Sequence, residues 1–157
     1  MNTGPYSDEK VQRFLQDNFI MVKTQCFFDK PVELMEQFNI KWTPTLLIHD
    51  KAGKEHHRMV GYVAVNDLFA HLEFGKAKVF FDTDHFSNAI ETLNLIIENY
   101  PQAAITPEAI FYLGVARYKK HHDPSGLRKA YDALKSKYPE SEWSRRAEPY
   151  SAIPGNS

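Results

Sequence analysis

Cysteine is almost missing: Cys26 is the one thiol in 157 residues. A lone thiol closes no intramolecular disulfide, forms no Cys-x-x-Cys redox pair and builds no cysteine-rich zinc site. An excess of charge is missing too, since 19 Lys and Arg stand against 20 Asp and Glu, a formal net charge of −1. Without a basic run there is no electrostatic footprint for nucleic acid. No apolar stretch approaches the roughly 18 residues that read as a membrane span. The opening Met1-Asn2-Thr3-Gly4-Pro5 has neither the basic nor the apolar region of a secretory signal, so the cytoplasm is the expected compartment. A phosphate loop, a nucleophile elbow, a dinucleotide fingerprint and a His-Glu-x-x-His motif are all absent. No residue is assigned as catalytic, no metal ligand is assigned, and no cofactor is expected.

What is present is a globular composition, with 43% hydrophobic, 13% aromatic and 25% charged residues. The length suits one domain, or two small ones sharing a core. The pattern changes near Tyr62. Upstream, short β-rich runs alternate with helical stretches. Residues 6–18 read as a helix, with Ser7 as its cap, Asp8 and Glu9 in the first turn, and Val11, Phe14 and Leu15 on one face. Phe19-Ile20-Met21-Val22 is a continuous apolar run, which predicts a strand buried on both faces. Pro31 opens a second helix, with Val32, Met35 and Phe38 on its apolar face. Trp42-Thr43-Pro44-Thr45-Leu46-Leu47-Ile48 gives a second buried strand. Asp50-Lys51-Ala52-Gly53 makes a turn, and residues 54–60 return as an antiparallel strand broken at Gly61.

Downstream the reading is helical nearly to the end. Asn66 or Asp67 caps a helix running to Phe80. Gly75 lies inside it at about 1 kcal/mol of lost propensity, which marks a close approach. Residues 85–100 form the next helix, apolar at Ala89, Leu93, Ile96 and Ile97 and stopped by Pro101. Thr106 caps and Pro107 opens a third, and residues 127–138 form a fourth, ended by Pro139. Tyr100-Pro101 recurs as Tyr138-Pro139, 38 residues on. Trp143-Ser144-Arg145-Arg146-Ala147 adds one further turn, and the chain beyond Pro149 reads as a disordered tail.

Two stretches carry a family resemblance. Asn39-Ile40-Lys41-Trp42-Thr43-Pro44-Thr45-Leu46-Leu47-Ile48, followed by Asp50, Gly53 and Gly61, resembles the C-terminal part of a thioredoxin domain. The resemblance implies a cis Thr43–Pro44 peptide and a loop, Trp42, Thr43 and Pro44, that receives the backbone of a substrate or peptide. Ala109-Ile110-Phe111-Tyr112-Leu113-Gly114-Val115-Ala116-Arg117-Tyr118 resembles the first helix of a tetratricopeptide repeat. The 38-residue spacing exceeds the usual 34 or so, with residues 123–126 able to hold the insertion. The arrangement is similar to bacterial thioredoxin-family proteins joined to such helices. The fold class expected is α/β plus α: a partial thioredoxin-like sheet over residues 1–64, tetratricopeptide-like helical hairpins over 65–150 and a tail over 151–157.

The resemblance also exposes a gap. In the thioredoxin fold the strand carrying Cys-x-x-Cys lies between the strands that residues 19–24 and 45–48 resemble, and no such strand is found here. Three resolutions are open: the two strands pair directly, another chain fills the gap, or the start codon is set at an internal methionine. An unsatisfied buried backbone group costs on the order of 1–3 kcal/mol, against a domain stability of about 5–15 kcal/mol. A homodimer through this half is therefore expected. The function expected is a redox-inactive interaction module with a protein or peptide partner. The alternative is the C-terminal part of a thiol-disulfide oxidoreductase whose Cys-x-x-Cys lies upstream of Met1 or on a partner chain. Adjacent residues point apart, so His56-His57 and His121-His122 are expected at the surface and not on a metal. Cys26, followed by Phe27 and Phe28, reads as a small buried hydrophobe.

Overall fold

The computed structural model describes residues 4–25 and 32–155. A 3-10 turn at Pro5–Ser7 leads into α1 (Glu9–Asn18). Asp8 and not Ser7 caps this helix. Its Oδ1 accepts from the amides of Lys10 at 2.8 Å and Val11 at 3.3 Å. Ser7 belongs to the preceding turn, and its hydroxyl donates back to the Gly4 carbonyl at 2.7 Å. Phe19 leaves α1 in extended conformation, with φ −138° and ψ 149°. Residues 19–25 nevertheless form no strand, and Ile20, Met21 and Val22 are exposed, Ile20 completely. This corrects the buried strand expected over Phe19–Val22. An apolar run becomes a strand only where a neighbour takes its backbone hydrogen bonds, and among the described residues none does. Phe19 alone turns into the core.

After α2 (Glu33–Gln37) come β1 (Thr45–His49) and β2 (Glu55–Val60). They pair antiparallel, with Thr45 opposite Val60 and Leu47 opposite Arg58, and the register slips between Ile48 and His49. Asp50 builds the connecting turn by accepting from the amides of Ala52 at 2.8 Å and Lys54 at 3.0 Å. Gly53 supplies the left-handed residue at φ 81°. Among the described residues this hairpin is the whole sheet.

Five helices follow: α3 (Val65–Asp82), α4 (Phe86–Asn99), α5 (Thr106–His121), α6 (Ser125–Lys137) and α7 (Glu142–Arg146). From α3 to α6 each packs on the next across a short turn, so neighbours run antiparallel. Helix α3 serves two cores. Its Leu68 and Leu72 meet Val11, Ile48 and Met59, while Ala70, Phe74 and Ala77 meet Leu93, Ile96, Leu113 and Ala116. Gly75 marks the point where β1 rests on α3, since a Cβ there would collide with Ile48.

The corners between helices differ from expectation in which side chains cap them. Thr106 is not a cap but the first residue of α5, fully buried, and its hydroxyl donates to the Tyr100 carbonyl at 2.6 Å. Ser144, also fully buried, donates to the Tyr138 carbonyl at 2.6 Å. The two tyrosine–proline corners thus share a bond as well as a dipeptide. Neither Asn66 nor Asp67 caps α3. The Asp67 carboxylate accepts instead from the Ala104 amide at 3.2 Å, tying α3 to the first corner. The chain past Pro149 continues as a 3-10 turn over Glu148–Ala152. Arg128 of α6 donates to the carbonyls of Ser151 at 3.0 Å and Ile153 at 2.7 Å. That stretch is held where a disordered tail was expected.

Candidate functional site

The Trp42-Thr43-Pro44 loop sits at the open end of the hairpin. The Thr43–Pro44 peptide is cis. The Thr45 hydroxyl donates to the Trp42 carbonyl at 2.7 Å, and the Gly61 amide donates to the Pro44 carbonyl at 2.8 Å. These bonds fix the loop backbone while leaving the Trp42 side chain 65% exposed. Thr43 and Pro44 are half-buried.

The Gly61–Pro44 bond also sets the phase of the ladder. Hydrogen-bonded and non-bonded pairs alternate along an antiparallel pair. With Pro44 and Gly61 bonded, Leu46 opposite Met59 and Ile48 opposite His57 are the inward-bonding pairs. The Asp50 amide, donating to the Lys54 carbonyl at 3.0 Å, keeps that phase past the bulge. Thr45, Leu47 and His49 therefore direct their N–H and C=O groups away from β2. No other strand meets them among the described residues. Lysine on the strand and inward-pointing charges are the usual guards against edge-to-edge pairing. The strand Thr45-Leu46-Leu47-Ile48-His49 carries neither. Val60 and Tyr62 add exposed apolar surface at the same end of the hairpin as Trp42.

The histidines are arranged differently from expectation. His56 is buried, not at the surface: the β-bulge turns it into the fold, where its side chain has no solvent exposure. Its Nε2 lies 3.0 Å from Asp50 Oδ2 and its Nδ1 2.7 Å from Asp82 Oδ2. A neutral imidazole has one N–H to give, so which carboxylate accepts from the ring depends on the tautomer. The bond from His56, with the Lys54 amide, holds the Asp50 carboxyl down at about 2. Burial opposes ionisation of Asp82, but the bonds from His56 and Lys78 outweigh it and keep its pKa below the ordinary value. The triad clamps the hairpin turn to the C-terminal end of α3. His57 goes elsewhere, with Nε2 3.0 Å from His71 Nδ1 and the two rings stacked at 5.2 Å beside Phe74. Burial pushes the His57 imidazole down to about 4, helped by His71 and Lys78 and opposed by Glu55. Burial also lowers His71, against the pull of Asp67. His121 and His122 are exposed at the end of α5.

Among the described residues no group of three or more His, Cys, Asp or Glu is placed to hold a metal ion. Cys26, Phe27, Phe28 and Pro31 lie outside the described residues. A shallow hollow of about 460 Å³ between α1 and α3 is lined by Glu9, Lys10, Arg13, Phe14, Asp17 and Phe69. Sequence reasoning missed the Asp50–His56–Asp82 clamp, because His56 and Asp82 are 26 residues apart with no motif joining them. The Asp50 turn is the one local signal that pointed toward it.

Set beside known proteins, residues 6–76 match the model of a family described as a thioredoxin-like domain. No curated protein and no solved structure matches the chain. The chain thus carries a thioredoxin-like domain with a partial sheet, followed by a helical region.

Proposed function

We propose that this chain is a redox-inactive, protein-binding module whose Trp42-Thr43-Pro44 loop and β1 edge take up an extended segment of a protein or peptide. One observation carries the reading: an uncharged strand edge, unpaired among the described residues, runs directly on from an exposed tryptophan. Its setting supports it. Among the described residues, six of the eight large apolar side chains left exposed belong to the thioredoxin-like half: Ile20, Met21, Val22, Trp42, Val60 and Tyr62. An extended segment laid along β1 would take up the outward N–H and C=O groups of Thr45, Leu47 and His49 and cover Trp42.

The helices add a second surface. We assign them as tetratricopeptide-like hairpins over residues 65–150, supported by the repeated Tyr-Pro corner and its Thr106 and Ser144 bonds. They share α3 with the thioredoxin-like half. A bacterial cytoplasm is the setting that this reading assigns, on the family resemblance.

The test is titration of the isotopically labelled chain with a library of extended peptides, followed by amide chemical shift. The expected result is binding that moves Trp42 and Thr45–His49 first. Binding that moves only the helical half would overturn the reading. The match to a thioredoxin-like domain also favours the second reading, part of a thiol-disulfide oxidoreductase. The single cysteine supports the redox-inactive reading of this chain alone: no reduction of insulin by dithiothreitol above background is expected. Turnover abolished by Cys26→Ser would favour the oxidoreductase.

A further inference from the structure

We infer that the extended segment taken up by β1 is β1 of a second copy, so that two hairpins join edge to edge in a four-stranded antiparallel sheet. The inference rests on the edge-binding reading above and names its occupant.

Three observations point to self-pairing. First, the edge is self-complementary. With Thr45, Leu47 and His49 presenting their backbone groups outward, a two-fold axis through Leu47 sets Leu47 opposite Leu47 of the second copy. Thr45 then falls opposite His49 and His49 opposite Thr45, all as hydrogen-bonded pairs. Second, nothing repels. The strand holds no formally charged residue and the whole chain carries a net charge of only −1. Third, the strand ends are complementary. In this register the Trp42 end of one strand meets the Asp50–Gly53 turn of the other, bringing Lys51 toward an exposed indole, a pairing that cations and aromatic faces favour.

The register makes a sharp test, because it places two Leu47 side chains face to face across the axis. Like charges directly opposite on an antiparallel pair are destabilising and opposite charges are favourable. Leu47→Lys and Leu47→Glu are made separately in the full chain and studied by sedimentation at micromolar concentration. Circular dichroism and urea unfolding establish that each variant folds. The wild type is expected at twice the 18.2 kDa chain mass. Each variant alone is expected as a monomer or with its dimer dissociation constant raised at least tenfold, and an equal mixture of the two is expected to restore the dimer. Restoration is an outcome that misfolding cannot mimic.

A wild-type monomer would overturn the inference. So would a dimer that persists in both charge variants. If neither variant folds, Leu47→Pro serves instead, since it deletes an outward N–H without touching the inward ladder, and a dimer unaffected by it would overturn the inference too. A wild-type monomer that still binds an extended peptide at Trp42 and Thr45–His49 would reject self-pairing while leaving the edge-binding reading intact. A monomer that binds none there would reject both.

Discussion

His56 and His57 sit side by side in β2 and do unlike things. The first bridges two carboxylates; the second is held neutral against another imidazole. The second gives a stability prediction with a definite sign. An unfolded chain titrates His57 near its ordinary 6.5, the folded chain at about 4. Between those values the unfolded state binds the extra proton, so stability falls as pH drops from about 6.5 to about 4 and gains no further loss from this group below that. The shift corresponds to something on the order of 3 kcal/mol. Urea midpoints measured across that window should fall steeply in the wild type and much less in His57→Gln. An equal slope in both would show that His57 does not carry the effect. Asp50 acts lower. Its depressed carboxyl contributes stability that is in place above its ordinary 3.8 and is lost as pH falls through about 2.

At the scale of elements, a tight helix contact lies where α5 crosses α6. A Cβ on Gly114 would stand 2.5 Å from the Ala130 Cβ and 3.0 Å from the Gly126 carbonyl. Neither neighbour is the free end of a flexible side chain. Gly114→Ala gains about 1 kcal/mol of helix propensity, but overpacking a tight contact typically costs about 1–3 kcal/mol. The expected net result is a loss of up to about 2 kcal/mol in urea unfolding, with an unchanged dependence on denaturant. A stabilised variant would mean that the helices part freely.

What the sequence made legible follows from the range of each signal. The Asp50–Gly53 turn and the close approach at Gly75 were readable because turn chemistry and a helical glycine are local features. The strand over Phe19–Val22 was not, because an apolar run specifies burial only when its partner is present. The role of Thr106 was hidden for a related reason: its acceptor is a carbonyl six residues back, which exists as a target only once the corner has formed. The same holds for the His56–Asp82 bond, which folding alone brings together. In the candidate site, Trp42, Thr43 and Pro44 were readable as a motif. The outward phase of Thr45, Leu47 and His49 needed the Gly61–Pro44 hydrogen bond.

The whole molecule is asymmetric in how it treats apolar surface. Its helical part closes around Phe74, Leu93, Ile96 and Leu134, all essentially inaccessible. Its thioredoxin-like half leaves Ile20, Trp42, Val60 and Tyr62 in water beside an open strand. On the proposed reading, a further strand is added at this edge. Amide hydrogen exchange, resolved residue by residue across a protein-concentration series, tests it most directly. In dilute solution Thr45 and Leu47 should exchange fast while Leu46 and Ile48, bonded to β2, exchange slowly. As concentration rises, Thr45 and Leu47 should slow selectively. Slow exchange of both at every dilution, or slowing that spares them and falls on the helices, would rule out strand addition at β1.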